Sequence, residues 1–386
     1  MSKIKVCLFT AHSPLLGGGG VILRSLIAQL TDFENTWYYI GKNQATGYEG
    51  GYLGEALMGG PILKDIWQTR QMLTGGKVAV IEEIFHKLLA IDCDAYWIVS
   101  HNEGLRIAFE LAKRQTTRPV HMTVHDDWAG ALCARSVRYR FMAGAAKKLT
   151  EAALKAVTSF DVISAGMQNY YLQLSGIEGN ICHRYLAADE LRLDTVMVSG
   201  QSEILAGHIG SIYNKEDFIA FLQMFVELYK LAGKRPIMQM WGCHLTMADI
   251  PAGLHENIRL FGTLPEGEVI PELQRCAFVY GMYPLGKALH TFACTSLPTK
   301  LTSYLQAGRP ILGHGPADST LSEFLLATGL GTMWVSDNLA DGKAALTKLM
   351  ALSPAPAKWQ AARRQYFGEA NLAVMNRVLG MALKRD

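Results

Sequence analysis

The chain has 386 residues, of which 49% are hydrophobic and 18% charged, with a net charge of +3. This length fits two ordinary domains, and the composition excludes a disordered or fibrous chain; the charge is too small by itself to argue for a nucleic-acid partner. Apolar runs break well before the roughly 18–20 residues of a membrane span, and the start "MSKIKVCLFT" is too short and strand-like for a signal peptide, so a cytoplasmic protein is expected.

Short β-rich runs alternate with helical patterns through the first half: "IKVCLFTA", "VILRSLIAQL", "TWYYIG", "AYWIVS", "GLRIAFELAKRQ" and "PVHMTVHD". Such alternation predicts a parallel sheet covered by helices on both faces. "YRFMAGAAKKLTEAALKA" reads as a helix, "DVISAG" as the next strand and "MQNYYLQLSG" as a helix closing on Gly176. The rhythm breaks around 187–206 and resumes with "LAGHIGSIY", "KEDFIAFLQMFVELYKLAG", "PIMQMWG", "NIRLFG", "FVYGMY", "PTKLTSYLQAG" and "RPILGHG". The expected organisation is an α/β chain of two doubly wound, Rossmann-like halves facing a cleft: 1–190, 200–360, and a C-terminal helix over 361–386 packing back across the hinge. Seven cysteines at irregular spacings form no CxxC pair and are expected to be free thiols.

Loops at the carboxyl ends of parallel strands face the ligand crevice, and four of them carry unusual residues. In "LFTAHSPLLGGGGVILRSL", a loop with Gly17, Gly18, Gly19 and Gly20 precedes a helix, where exposed N–H groups can approach a phosphate or sugar. It is not GxGxxG, and no acidic residue follows the second strand, so a dinucleotide is not implied. "HMTVHDDWAG" sets His125, Asp126, Asp127 and Trp128 at a strand end: an imidazole for acid–base or hydroxyl contact, and an indole able to stack on a sugar. The plain alternative there is a helix cap beside a structural histidine. "GHIGSIYNKEDF" puts Gly210, Ser211 and Lys215 at a helix mouth, where an ammonium can meet a diphosphate. "CTSLPTKLTSYLQAG" offers Ser296 as a helix cap, with Thr299 and Lys300 at the positive end of the helix.

Together these stretches resemble a GT-B glycosyltransferase, most of all the retaining family 4, the group 1 glycosyl transferases. "HSPLLGGGGVILRSLIAQL" is similar to that family's glycine-rich segment and first helix, and "TVHDDW" to its His-Asp strand end. "HIGSIYNKEDFIAFL", "NIRLFGTLPEGEVIPELQRCAFVYGMYP" and "SLPTKLTSYLQAGRPIL" resemble its nucleotide-binding half. The family's Glu-x7-Glu pair falls on Thr295 and Ser303, neither acidic, and the arginine that often follows the glycine of the second-half loop is Ser211.

The resemblance implies transfer of a sugar from a nucleotide diphosphate sugar, UDP-linked by family habit, to a carbohydrate, lipid-linked or other hydroxyl acceptor with retention. His125 and Asp126 would be the catalytic positions. Gly18, Gly19, Gly20, Ser211, Lys215, Thr295, Ser296, Thr299 and Lys300 would hold the diphosphate and sugar, and Gly242, Phe261 and Ser303 the ribose and base. No metal or other cofactor is expected. The missing acidic pair leaves a degenerate nucleotide-sugar-binding module open, beside an epimerase, an inverting transferase or a nucleic-acid-modifying one. A basic segment, Arg135, Arg138, Arg140, Lys147, Lys148 and Lys155 with a single carboxylate, Glu151, is a candidate surface for an anionic inner membrane leaflet or for nucleic acid. A solvated helix face, with Tyr139 and Phe141 turned into the core, is the alternative.

Overall fold

A computed structural model describes residues 3–15, 17–45, 51–57, 61–75, 78–115, 117–193 and 202–381, with the side chains of 133–135 and 137 outside that set. The expected junction near residue 200 and the side chain of Arg135 therefore lie outside the described residues. The chain divides into two compact units, Met1–Tyr185 with Glu369–Asp386, and Leu186–Gly368.

The first unit holds seven strands: β1 (Ile4–Thr10), β2 (Phe33–Gly41), β3 (Gly51–Glu55), β4 (Ala95–Val99), β5 (Val120–Val124), β6 (Ser159–Val162) and β7 (Asn180–Ile181). Their order is β3-β2-β1-β4-β5-β6-β7. The second unit holds β8 (Glu203–Ile209), β9 (Arg235–Trp241), β10 (Ile258–Phe261), β11 (Phe278–Met282), β12 (Ile311–His314) and β13 (Gly331–Trp334), ordered β10-β9-β8-β11-β12-β13. All pairings are parallel, with Leu8 opposite Trp97 in the first sheet and Tyr280 opposite Leu312 in the second.

Central strands such as "AYWIV" and "FVYGM" are buried along their whole length, as helices on both faces require. One core gathers Leu8, Leu23, Trp97 and Val99 with Met375 and Val378 of the terminal helix Glu369–Leu379. The other is aromatic: Phe221 stacks on Tyr280 at 4.0 Å between ring centroids, with Phe218, Phe225 and Phe278 around them. Truncating one such ring to alanine costs about 3–5 kcal/mol.

Three local expectations need correction. Strand and helix do not alternate strictly, because β3 pairs alongside β2 and two helices, Ile62–Leu73 and Ala79–Leu89, then precede β4. "YRFMAGAAKKLTEAALKA" is a 3-10 turn, Val137–Met142, followed by the helix Ala143–Ala156. The C-terminal segment is two helices, Pro356–Phe367 and Glu369–Leu379, parted at Gly368, where a Cβ would stand 2.6 Å from the Arg364 carbonyl oxygen. Gly176 ends its helix as read from sequence, and Gly308 ends another; both are left-handed, at φ +74° and +62°.

Candidate functional site

In each sheet the chain crosses to the opposite side once, between β1 and β4 in the first unit and between β8 and β11 in the second. Loops at the carboxyl ends of strands flanking such a switch point form the ligand crevice of an open parallel sheet. Gly17–Gly20 follow β1 in the first unit, and Ser211 and Lys215 follow β8 in the second.

In the first unit, His12 follows β1, His101 follows β4, His125 follows β5 and His183 follows β7. The rings of His12 and His101 meet edge-on at 5.9 Å. Burial pushes His125 down to about 3, and the nearby His12, His183 and His101 lower it further. Its ring is therefore neutral at physiological pH, suited to hydrogen bonding rather than to proton transfer near pH 7. Its Nε2 is buried with no hydrogen-bond partner among the described residues. Beside His101, Asn102 holds φ +50°, the sole non-glycine positive φ among the described residues. Backbone strain of that kind, about 1–3 kcal/mol, gathers at functional sites.

The four glycines are not a loop: the helix Gly17–Ile27 begins at the first of them. A Cβ at Gly19 would lie 2.8 Å from His125 Nδ1 and 3.7 Å from His12 Nε2, and one at Gly20 would lie 2.8 Å from the Pro14 carbonyl oxygen. Gly19 and Gly20 thus let the helix start against the histidines and the β1 loop, while Gly17 carries φ +72° and Gly18 is exposed. Asp127 is the helix cap, accepting from the Gly130 N–H at 2.7 Å and from the Tyr171 hydroxyl at 3.0 Å. Trp128 is 4% exposed, so it cannot stack on a sugar, which corrects the sequence reading. Asp126 is half-buried beside His125 in the chain.

In the second unit β8 is followed by Gly210, with φ +77°, and the exposed Ser211. Lys300 reaches back to this turn: its Nζ donates to the Ser211 carbonyl at 3.1 Å, lies 3.4 Å from His208 Nε2 and sits 5.4 Å from the Tyr213 ring centroid. Burial lowers Lys300 to about 7. Burial also pushes His208 down to about 3, with the Lys300 charge adding to the effect. A proton on Nδ1 donates to the Tyr280 carbonyl at 2.8 Å and leaves Nε2 to face the lysine. Ser211 therefore positions Lys300 through its backbone oxygen, and an anion arriving there would meet a cation held by a carbonyl and two rings.

The helix carrying Lys300 starts three residues later than expected, at Lys300–Ala307, with Thr299 in the cap position. Ser296 is instead the C-cap of the preceding helix, His290–Thr295, and its carbonyl accepts from the Tyr283 and Thr320 hydroxyls. Thr295 is 2% exposed and donates to the Thr291 carbonyl at 2.7 Å. Lys215 opens the helix Lys215–Leu231 but is paired to Asp249 at 3.0 Å. Hydrogen bonds from Thr246, then the pairing with Lys215, lower Asp249 to about 2. Phe261 is 41% exposed and stacks on Trp241 at 5.3 Å, while Gly242, at φ +64°, donates to the Gly262 carbonyl at 3.3 Å.

The residue missed by sequence reasoning is Glu266. Ser303 Oγ donates to Glu266 Oε1 at 2.8 Å, and Gln306 Nε2 donates to the same oxygen at 3.2 Å. A carboxylate thus stands beside the position where the sequence lacks one, supplied by a different helix, Glu266–Gln274. No local pattern links residues 37 positions apart, and an acidic residue in a first helical turn is ordinary.

Among the described residues no helix is long and apolar enough to cross a membrane. Tyr139 is buried and donates to Asp65, but Phe141 is 66% exposed, so only one of the two aromatics enters the core.

No protein-family model and no curated protein matches the sequence. Among solved structures, the chain is similar to sucrose-phosphate synthase from Thermosynechococcus elongatus, with a TM-score of 0.65, 11% identity and 99% of each chain covered. It is also similar to an alpha-glucosyltransferase solved with UDP and a 13-mer DNA, with a TM-score of 0.58, 12% identity, and 98% of this chain and 100% of that one covered. A putative UDP-N-acetylglucosamine 2-epimerase from Listeria monocytogenes gives a TM-score of 0.59 at 13% identity, covering 100% of this chain and 98% of that one. With both sheets parallel and the likeness running over the whole length, the chain has the GT-B fold.

Proposed function

We propose that the protein is a glycosyltransferase that moves a sugar from a nucleotide diphosphate sugar, UDP-linked, to a hydroxyl acceptor with retention. The observation that carries this reading is the Lys300 ammonium held at the β8–β11 switch point by Ser211 and His208. A leaving diphosphate gains negative charge in the transition state, and a cation fixed beforehand at a helix start stabilises it there. Thr299 and the first N–H groups of Lys300–Ala307 add donors at the same end, so no divalent metal is needed for the leaving group. Lys215 contributes once the anion competes with Asp249.

The Glu266 carboxylate, oriented by Ser303 and Gln306, is placed to accept hydrogen bonds from the ribose hydroxyls, taking over the role of the missing acidic residue. Phe261 offers an exposed ring for the base. In the first unit a neutral His125 positions the reacting groups. The departing phosphate takes the acceptor's proton in a front-side attack, so no protein base is assigned. The UDP preference draws support from the similar alpha-glucosyltransferase solved with UDP.

The acceptor side also has a membrane-facing candidate. Leu63 and Trp67, 80% and 59% exposed, flank Asp65 on Ile62–Leu73; Asp65 accepts from Tyr139, which lies between the exposed Arg138 and Arg140 and is followed by Phe141. Exposed Leu63, Trp67 and Phe141, with exposed Arg138 and Arg140 in the same unit, supply the apolar and cationic groups that an anionic lipid surface takes. Sedimentation with anionic vesicles at low salt, retained by wild type and lost in Leu63→Ser/Trp67→Ser, tests it; equal sedimentation of both removes the idea.

Turnover with a panel of UDP- and GDP-sugars, with the product anomer followed by NMR, tests the main reading. UDP-dependent transfer with retention, unchanged by added Mg2+, is expected. Calorimetric UDP binding without transfer or hydrolysis would favour a binding module, which the loss of acidic residues at Thr295 and Ser303 leaves as the second reading.

A further inference from the structure

Outside the residues assigned above, one cluster of metal-ligating side chains stands out in the second unit. His290 and Cys294 lie four residues apart on the helix His290–Thr295, and so share one face. Asp318 comes from the loop that follows β12 and precedes the helix Thr320–Thr328. His290 Nε2 is 3.2 Å from Asp318 Oδ2 and 3.5 Å from Cys294 Sγ, and all three donor atoms lie within 4.8 Å of one another.

The Cys294 sulfur is nearer to the nitrogen that faces Asp318 than to Nδ1, from which it lies 4.0 Å. A nucleophilic Cys-His-Asp relay needs the thiol on one imidazole nitrogen and the carboxylate on the other, so the geometry, with the thiol closer to the carboxylate's own nitrogen, favours no relay. It does fit three donors around one ion. For tetrahedral zinc, bond lengths of about 2.0–2.1 Å to nitrogen and oxygen and about 2.3 Å to sulfur place nitrogen and oxygen about 3.3 Å apart, and nitrogen and sulfur about 3.6 Å apart. The observed separations of 3.2 Å and 3.5 Å match both. The side chains of His290 and Asp318 are 49% and 66% exposed, so an ion can enter from solvent.

We propose that His290 Nε2, Cys294 Sγ and an Asp318 carboxylate oxygen form a Zn2+ site with its fourth position open to water. A thiolate, an imidazole and a carboxylate are a borderline-soft set that favours zinc over magnesium or calcium, and the two anionic ligands balance the charge of the ion. The ion would join the short helix to the loop ahead of Thr320, whose hydroxyl already donates to the Ala293 carbonyl at 3.3 Å. It would thereby fix the C-terminal end of the helix from which Ser296–Thr299 departs. The site is a structural clamp and takes no part in the transfer chemistry, so it stands or falls separately from the donor reading.

Cobalt serves as the spectroscopic substitute. Titrating the reduced, chelator-stripped full chain with Co2+ should give, at one equivalent, the d–d bands of a tetrahedral ion and a near-ultraviolet thiolate-to-cobalt band. Cys294→Ser should abolish the thiolate band, whereas Cys243→Ser should retain it. His290→Ala and Asp318→Asn should each weaken binding by more than the roughly 10–100-fold that loss of an outer-shell partner costs. One equivalent of Zn2+ should raise the thermal midpoint of wild type and leave that of Cys294→Ser unmoved, with circular dichroism confirming that each variant is folded. Absence of the thiolate band in wild type, or its persistence in Cys294→Ser, overturns the proposal.

Discussion

Replacing Glu266 by glutamine separates charge from packing at the candidate ribose position. The amide keeps an oxygen able to accept from Ser303 Oγ and Gln306 Nε2, which lie 2.8 and 3.2 Å from the carboxylate oxygen they share. The packing of Glu266–Gln274 against Lys300–Ala307 should therefore survive, and the thermal midpoint should move little. A hydrogen bond to a charged acceptor contributes about 1.5–3 kcal/mol and a neutral one about 0.5–1.5, so loss of the charge should cost about 1–1.5 kcal/mol, or roughly five- to tenfold in UDP affinity. Isothermal calorimetry with UDP, repeated with 2′-deoxy-UDP, reads it directly: the glutamine variant should lose discrimination between the two ligands. Adding Ser303→Glu to Glu266→Gln moves the carboxylate to the neighbouring helix and should recover affinity, whereas Ser303→Glu alone crowds two carboxylates and should weaken binding. Equal UDP affinity in wild type and Glu266→Gln would refute the assignment of Glu266.

Lys300→Ala should cost about 2–4 kcal/mol in transition-state stabilisation, measured as kcat/KM, with unchanged turnover removing Lys300 from the donor site. Because burial lowers Lys300 to about 7 and a bound diphosphate raises it again, UDP affinity should fall as pH rises above 7. Calorimetry in buffers of different ionisation enthalpy should then show proton uptake on binding, which a pH-independent affinity without uptake would contradict. Gly19→Ala puts a Cβ 2.8 Å from His125 Nδ1; the crowding costs about 1–3 kcal/mol, part of which the helical preference of alanine offsets by about 0.5–1. Turnover should nevertheless drop roughly 10–100-fold, because the imidazole must move, and a parallel loss of both would mark the glycine as merely structural. Burial holds His125 and His208 down to about 3 and His314 to about 4, below the 6.5 of an unfolded histidine. The unfolded chain therefore binds more protons between these values, and stability is full above pH 6.5 and lost as pH falls toward 4, as urea denaturation across that range should show. A flat stability profile would contradict the buried neutral rings.

The order of strands and helices was legible because parallel strands covered on both faces need continuous apolar runs, and "AYWIV" and "FVYGM" display them without help from distant residues. The helix stops at Gly176 and Gly308 were equally local, since only a glycine adopts their left-handed backbone at no cost. The lysine in "PTKLTSYLQAG" could be singled out, because a cation and a hydroxyl at a helix start mean the same thing in any sequence. What that lysine touches could not be read. Ser211 and His208 reach it from residues 89 and 92 positions away, because β8 and β11 are neighbours in the sheet and not in the chain.

The same physics explains the misreadings. "GGGG" reads as a loop ahead of the helix because glycine is a poor helix former, yet the helix begins at Gly17, and Gly19 carries no side chain where His125, arriving from β5, occupies the space. Trp128 reads as a sugar platform, but the Asp127 cap turns the following helix so that the indole is buried. Thr295 and Ser303 read as a lost acidic pair, although Glu266 brings a carboxylate to Ser303 from another helix. Sequence alone determined most of the strands and helices, since those preferences act over a few residues. Only the tertiary structure decided which loops meet, because a parallel sheet gathers at one edge the ends of strands that lie far apart in the chain.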